Sequence, residues 1–127
     1  MKLYRVILPV GDIDQAEKFY SAILSLPGER ISPGRHYFDL GGVILACYDP
    51  KRDGDDSNPT WKHHFNQYLY ISTEDLDSIF RTIQTVNPAR IDKEIKVMPW
   101  GERMFYFNDP WNNPICFVDS KTIFTGH

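Results

Sequence analysis

The sequence predicts an α+β fold of two βαβββ modules, which form a curved, mostly antiparallel sheet cleft. The order strand, helix, strand, strand, strand occurs twice along the chain. VGDIDQA at the first predicted helix matches TEDLDSI at the second, so residue 10 corresponds to residue 73, an offset of 63. VILACYD resembles PICFVD near the end, where residue 44 corresponds to residue 115, an offset of 71. A βαβββ module that occurs twice is not expected in a helical bundle or in a doubly wound α/β fold.

The first module begins with the β-branched strand LYRVILPV. A helix follows, with Asp12 as its N-cap, Gln15 at the capping-box position and an apolar stripe at helical spacing. Pro27-Gly28 ends this helix. Turns at Pro33-Gly34 and Gly41-Gly42 then separate three predicted strands, GERI, RHYFDL and VILACYD.

The second module has the same order. QYLYIST is a predicted strand, and EDLDSIFRTIQTV is a helix that stops at Asn87-Pro88. Three further strands are predicted, IDKEIKVMP, ERMFYFND and PICFVDS. We expect one domain over residues 1–127, with module one at about 1–50, a polar linker at about 51–65 and module two at about 66–122.

Composition restricts the classes of function. The net charge of −3 gives no electrostatic reason to expect nucleic acid or an anionic membrane as a partner. No apolar run is long enough to span a membrane, and the N-terminus lacks a signal-peptide pattern. The two cysteines have no CxxC spacing, which argues against a disulfide framework or structural zinc. A cytoplasmic protein is therefore expected.

Two motifs carry a resemblance to a known family. The first helix starts with Val10, Asp12, Ile13, Asp14, Ala16, Phe19 and Tyr20, and the chain closes with DPWNNPICF. With the duplicated module, these motifs resemble the vicinal oxygen chelate superfamily, which includes glyoxalase I, extradiol dioxygenases and bleomycin-resistance proteins. The segment PWGERMFYFNDPWNNPICFVD is most similar to the bleomycin-resistance branch. Asn112 replaces the glycine of that branch, and asparagine tolerates the left-handed conformation of such a turn.

The resemblance also implies where a metal would be held. Metal-using members carry four ligands, one on the first and one on the last strand of each module. These positions correspond here to Arg5, Leu45, Tyr68 and Cys116, or to Gln67 as the third if the alignment shifts by one residue. Arginine stays protonated and leucine has no donor atom, so a divalent site is not expected. The sequence thus predicts no metal and no other cofactor, as in the metal-free members that bind and sequester a ligand.

Strand alternation then predicts the lining of the cleft. Alternation places Arg5, Leu45, Cys47, Tyr68, Tyr70 and Cys116 there. The resemblance adds Tyr106, four residues before Pro110, where extradiol dioxygenases of the superfamily often have a cleft tyrosine. This lining suits a small aromatic or amphipathic molecule, with Arg5 available for a carboxylate. Arg5 could equally pair with an acidic residue, and Cys116 could simply be a small buried hydrophobic residue.

Three classes of function stay open. The first is a metal-free protein that binds a small molecule. The second is a divergent lyase, isomerase or dioxygenase of the same superfamily, either metal-dependent or using Tyr68, Tyr106 or Cys116. The third is a structural or regulatory dimer. A homodimer is expected because it is common in the superfamily. His63 and His64 are expected in a loop or an interface, because neighbours on an extended segment point to opposite sides.

Overall fold

Each half of the chain folds into one helix packed on one mixed sheet, so the predicted α+β class is confirmed. The computed structural model describes residues 1–55 and 66–124. The chain divides into two units, Met1–His63 and His64–His127. The organisation as a single domain stays a prediction. His63, His64 and most of the expected linker lie outside the described residues.

The first unit contains four strands and one α-helix. Their bounds are β1 (Arg5–Pro9), α1 (Ile13–Leu24), β2 (Glu29–Ser32), β3 (Arg35–Leu40) and β4 (Val43–Tyr48). The sheet order is β1-β4-β3-β2, in which β1 runs parallel to β4 and the other pairs are antiparallel. Sequential βαβββ order therefore produces a sheet in which the first and last strands are neighbours.

Helix α1 begins as its sequence predicts. The Asp12 carboxylate accepts hydrogen bonds from the backbone N–H of Asp14 (3.0 Å) and Gln15 (3.1 Å), which satisfies two donors of the first turn. The helix ends where Ser25 takes a left-handed conformation, with φ of 54°. The buried face of the helix consists of Ile13, Ala16, Phe19, Tyr20 and Ile23.

The turn between β2 and β3 contacts a short 3₁₀ helix, Pro50–Asp53, that follows β4. The Asp53 carboxylate accepts from the Gly34 N–H and the Ser32 hydroxyl, each at 2.7 Å. A Cβ at Gly34 would lie 2.2 Å from the backbone oxygen of Asp49, so only glycine permits this approach.

The second unit repeats the arrangement with one difference. Its bounds are β5 (Leu69–Thr73), α2 (Leu76–Thr85), β6 (Arg90–Ile91), β7 (Lys96–Val97), β8 (Arg103–Asn108) and β9 (Pro114–Asp119). The sheet order is β5-β9-β8-β6, with β7 also paired to β8, and only β5 and β9 are parallel.

The prediction of a single strand at IDKEIKVMP is wrong, because the two short strands β6 and β7 occur there instead. Asp92 interrupts the ladder between them. Its carboxylate accepts the backbone N–H of Tyr106 at 2.9 Å, where a continuous strand would supply a backbone carbonyl. The Asp92 N–H in turn donates to the Tyr106 carbonyl at 3.0 Å.

The core of the second unit is aromatic. Phe80 of α2 stacks on Phe105 of β8, with ring centroids 4.9 Å apart. Phe117 stacks on Phe105 at 6.0 Å and on Phe107 at 5.8 Å. The helix-facing side of the sheet is therefore closed by ring contacts.

The DPWNNP turn that joins β8 to β9 has a structural role. The buried Asp109 carboxylate accepts from the backbone N–H groups of Trp111 and Asn113 and from the Asn113 side-chain amide at 2.7 Å. Asn112 has φ of 65°, so the left-handed conformation predicted for it is confirmed. Helices long and apolar enough to cross a membrane are absent from the described parts of the chain.

Candidate functional site: the tyrosine face of the second unit

The second sheet has one face covered by α2 and an opposite face, here called the open face. The register pairs Tyr70 of β5 with Cys116 of β9, and Cys116 with Tyr106 of β8, so these three side chains share one face. Phe117 and Ile115 lie on the helix side. The faces predicted for the strands of module two therefore agree with the observed register.

Three tyrosines form a cluster on this open face, consisting of Tyr68, Tyr70 and Tyr106. The rings of Tyr68 and Tyr70 meet the Tyr106 ring edge-on, with centroids 5.4 and 6.1 Å apart. The hydroxyl groups of Tyr70 and Tyr106 are hydrogen-bonded at 3.0 Å. Tyr68 and Tyr70 remain 45% and 57% exposed, which is high for aromatic residues that already contact one another. The cluster therefore presents exposed ring surface on this face.

The tyrosine cluster lines a depression of about 480 Å³, together with Arg90 and Asn108. Arg90 of β6 pairs in register with Asn108 of β8, so both belong to the open face. The Arg90 guanidinium donates to the Asp92 carboxylate, whose other oxygen accepts the Tyr106 N–H. Asp92 therefore fixes Arg90 and the Tyr106 backbone relative to each other.

The Tyr106 phenol remains protonated at physiological pH. Burial, and after it the hydrogen bond with Tyr70, raises the pKa of Tyr106 well above the ordinary value of a tyrosine. A neutral phenol donates or accepts a hydrogen bond, whereas a general base must first lose its proton. Tyr106 is therefore suited to binding a polar group rather than to abstracting a proton.

Cys116 is a buried thiol beneath this cluster. It is 0% exposed and packs in an apolar cluster with Met104 and Val118. The thiol contacts the sulfur of Met104 at 3.5 Å. Burial, and next the negative charges of Glu102 and Asp92, raise the pKa of the thiol to about 12. Because a nucleophilic cysteine needs a thiolate, these surroundings argue against catalysis by Cys116.

The raised pKa of Cys116 predicts a pH dependence of stability. The folded chain holds the thiol proton more tightly than the unfolded chain, whose cysteine pKa is about 8.5. The contribution is therefore fully present below that value and is lost as the pH rises toward about 12. Urea denaturation at about pH 7.5, 9 and 10 should show a steeper loss of unfolding free energy in the wild type than in Cys116→Ala. Equal slopes would contradict the prediction.

In the first unit, Arg5 lies on the open face of its sheet. Its guanidinium donates to the Tyr37 hydroxyl at 3.1 Å and lies 5.5 Å from the Tyr4 ring centroid. Arg35 donates to the same hydroxyl at 3.2 Å. The ion pairs of the described residues do not include Arg5, and its observed partners are tyrosines. Its alternative role in pairing with an acidic residue therefore finds no support within those residues.

The expected placement of Leu45 and Cys47 beside Arg5 is wrong. Arg5 pairs in register with Ile44, and Ile7 pairs with Ala46, so Leu45 and Cys47 face α1. They are 3% and 0% exposed. VILACY is apolar throughout, so it has no alternation of polar and apolar residues that could show which side of the strand is buried.

The register also corrects the repeat alignment and the metal positions. Ile7 corresponds to Tyr70 by the offset of 63, so Ala46, the partner of Ile7, corresponds to Cys116, the partner of Tyr70. The second family metal position, on the last strand of the first module, is therefore Ala46 rather than Leu45. Alanine has no donor atom either, and arginine cannot ligate. The residues at the four positions do not fit a divalent metal. Groups of three or more His, Cys, Asp or Glu able to hold a metal are absent from residues 1–55 and 66–124.

Two lining residues, Arg90 and Asn108, were not among the predicted site residues. Asn108 alternates with Tyr106 on the predicted strand ERMFYFND, so its position was readable from the sequence. Arg90 precedes a segment without alternation, and its pairing with β8 is a long-range contact that no local signal shows.

The comparisons with known proteins concern the family and the fold. The family model of the Glyoxalase/Bleomycin resistance protein/Dioxygenase superfamily matches residues 2–117. The chain belongs to this superfamily, as its motifs predicted; the bleomycin-resistance branch stays a prediction. No curated protein matches the chain.

Several solved structures share the fold. A glyoxalase-related enzyme from Fulvimarina pelagi has a TM-score of 0.77 at 12% identity, covering 95% of this chain and 89% of that one. A glyoxalase/bleomycin resistance protein from Albidiferax ferrireducens T118 has a TM-score of 0.74 at 18% identity, covering 91% and 95%. Lactoylglutathione lyase from Agrobacterium tumefaciens has a TM-score of 0.69 at 22% identity, covering 94% of both chains. At these identities the likeness concerns the fold alone.

Proposed function

We propose that this protein binds a small aromatic or amphipathic organic molecule at the tyrosine cluster, without a metal ion. The observation that carries the proposal is the depression on the open face of the second sheet, which is lined by Tyr106 and by the two tyrosines that pack on it. Its volume of about 480 Å³ lies within the range of small-molecule sites, about 300–1,000 Å³. Rings that are held in place by one another lose little further freedom when a ligand binds.

The donor chemistry supports binding over catalysis. The described lining consists of three phenols, one guanidinium and one amide, and contains no carboxylate or imidazole. The raised pKa of Tyr106 and the permanent charge of Arg90 leave neither group able to accept a proton at neutral pH. A site of this composition orients a ligand through ring contacts and hydrogen bonds.

Calorimetric titration with 2-naphthoate and 2-naphthamide tests this proposal. Tyr68→Ala removes one edge-on ring contact and should weaken the binding of both probes about 5- to 10-fold. Trp100→Ala is the matched control, because Trp100 is an exposed aromatic residue outside the depression, and it should change neither affinity. If neither probe binds the wild type, or if Tyr68→Ala binds both unchanged, the proposal is wrong.

A lyase or isomerase of the same superfamily is the second candidate. It is favoured by the hydrogen bond between the Tyr70 and Tyr106 hydroxyls, since a phenol kept protonated can donate to a carbonyl oxygen that gains charge. Turnover that is lost in Tyr106→Phe, while probe binding is retained, would favour this candidate over simple sequestration.

A further inference from the structure

We propose that the ligand of the tyrosine cluster is an aromatic carboxylate, with its ring against the tyrosines and its carboxylate on Arg90. This inference rests on the proposed function, because it specifies the chemistry of the molecule bound at the same site. The sequence predicted that Arg5 of the first unit would bind a ligand carboxylate. The present inference assigns that role to Arg90 of the second unit instead.

The register gives the depression two unlike ends. Across the open face, Arg90 of β6 lies beside Asn108 of β8, and Asn108 lies beside Pro114 of β9. The pairing of Leu69 with Ile115 brings the preceding residue, Tyr68, beside Pro114 on the far side. One end of this row is therefore a guanidinium, and the other is an aromatic ring.

The spacing of the strands fits a molecule with one ring system and one acid group. Arg90 belongs to β6 and Tyr68 directly precedes β5, and these are the outer strands of the order β5-β9-β8-β6, three strand spacings apart. At about 4.8 Å per spacing, their backbones are about 14 Å apart. In the register the buried Pro114 lies between them. A span of this length accommodates a mono- or bicyclic aromatic acid.

The Arg90 guanidinium is oriented before any ligand arrives. It is bound through Nη2 to Asp92, whose side chain is only 17% exposed and also accepts the Tyr106 N–H. Arginine carries five N–H donors in a planar fork, so the bond through Nη2 leaves other donors directed away from Asp92. The Arg90 side chain is 57% exposed and can therefore receive a carboxylate in the two-point geometry that arginine favours.

The charges along the described lining select for an anion. Arg90 is the only ionised side chain among the five lining residues that the structure describes, and Asn108 is uncharged. Tyr106 stays neutral, so it does not repel a carboxylate and can donate a hydrogen bond to it. A ligand with an ammonium group would instead meet the guanidinium without a lining carboxylate to bind it.

Paired probes separate this inference from the proposed function. 2-Naphthoate and 2-naphthamide share a ring system and differ in charge. In calorimetry, wild type should bind 2-naphthoate about 10-fold more tightly than 2-naphthamide. Arg90→Gln should weaken 2-naphthoate about 10-fold and leave 2-naphthamide nearly unchanged, which also shows that the variant is folded. Arg81→Gln is the matched control, because this exposed arginine lies on α2, across the sheet from the depression, and both affinities should persist.

Each outcome has a defined meaning. If wild type binds both probes equally, or if Arg90→Gln retains its affinity for 2-naphthoate, the carboxylate assignment is wrong and the aromatic site still stands. If wild type binds neither probe, both the assignment and the proposed function are wrong. Should Arg90→Gln fail to fold, the preference of the wild type for 2-naphthoate over 2-naphthamide tests the carboxylate assignment. That preference must decrease as salt rises, because the arginine is half-exposed and its charge is screened.

Discussion

Phe105→Ala is expected to lower the free energy of unfolding by about 3–5 kcal/mol, the range for removing a large aromatic residue from a core. Phe105 is 0% exposed and stacks on Phe80 of α2 and on Phe117 of β9. Its loss removes the contacts that hold the helix on the sheet and leaves a cavity between three rings. Urea denaturation followed by circular dichroism measures the change.

Trp100→Ala is the matched control for that measurement. It also deletes a large aromatic side chain from the second unit, but Trp100 is 63% exposed and its ring nitrogen donates to nearby Glu102. Trp100→Ala should lower the free energy of unfolding by less than about 1 kcal/mol. Equal losses in the two variants would show that the ring stack does not stabilise the second unit as described.

Cys116→Glu is expected to lower the free energy of unfolding by about 3–5 kcal/mol at neutral pH, because it buries an unpaired charge. The position is 0% exposed, and Glu102 and Asp92 already place negative charge nearby. The pKa of the new carboxyl would be raised above the value of about 4.3 in the unfolded chain. The deficit relative to wild type should therefore be smallest below that value and grow as the pH rises.

Cys116→Ala is the control, with an expected cost near 1 kcal/mol for the loss of a small apolar side chain. Addition of zinc, nickel or manganese should not restore the stability of Cys116→Glu, since two of the four family metal positions hold Arg5, which stays protonated, and Ala46, which has no ligating atom. A large stabilisation of this variant by any of these ions, measured by thermal denaturation, would mean that other residues complete a metal centre.

The type and order of most elements follow from the sequence because their signals are local. Asp12 and Asp75 cap the helices at the positions where the apolar periodicity begins. The Asp109 turn is similarly local, because all of its described side-chain bonds fall within four residues. Such contacts depend on neighbours along the chain and can be read from one segment at a time.

The faces of the strands are harder to predict where a segment is uniformly apolar. QYLYIST alternates tyrosine with aliphatic residues, so Tyr68 and Tyr70 could be assigned to one face from the letters alone. VILACY lacks this alternation, and its orientation depends on pairing with β1, some forty residues away. Leu45 and Cys47 were misplaced for this reason. Arg90 was missed because its place in the site depends on the Asp92 interruption and on pairing with β8.

The division of each sheet into a covered and an open face has an evolutionary consequence. Along β8, Phe105 and Phe107 are committed to the core, whereas Tyr106 and Asn108 between and beyond them are not. The codons of Tyr106 and Asn108 can therefore change with less effect on folding than those of Phe105 and Phe107. Descendants of one ancestral gene can acquire new ligand specificities by drift at such open-face positions, while the core residues stay under purifying selection.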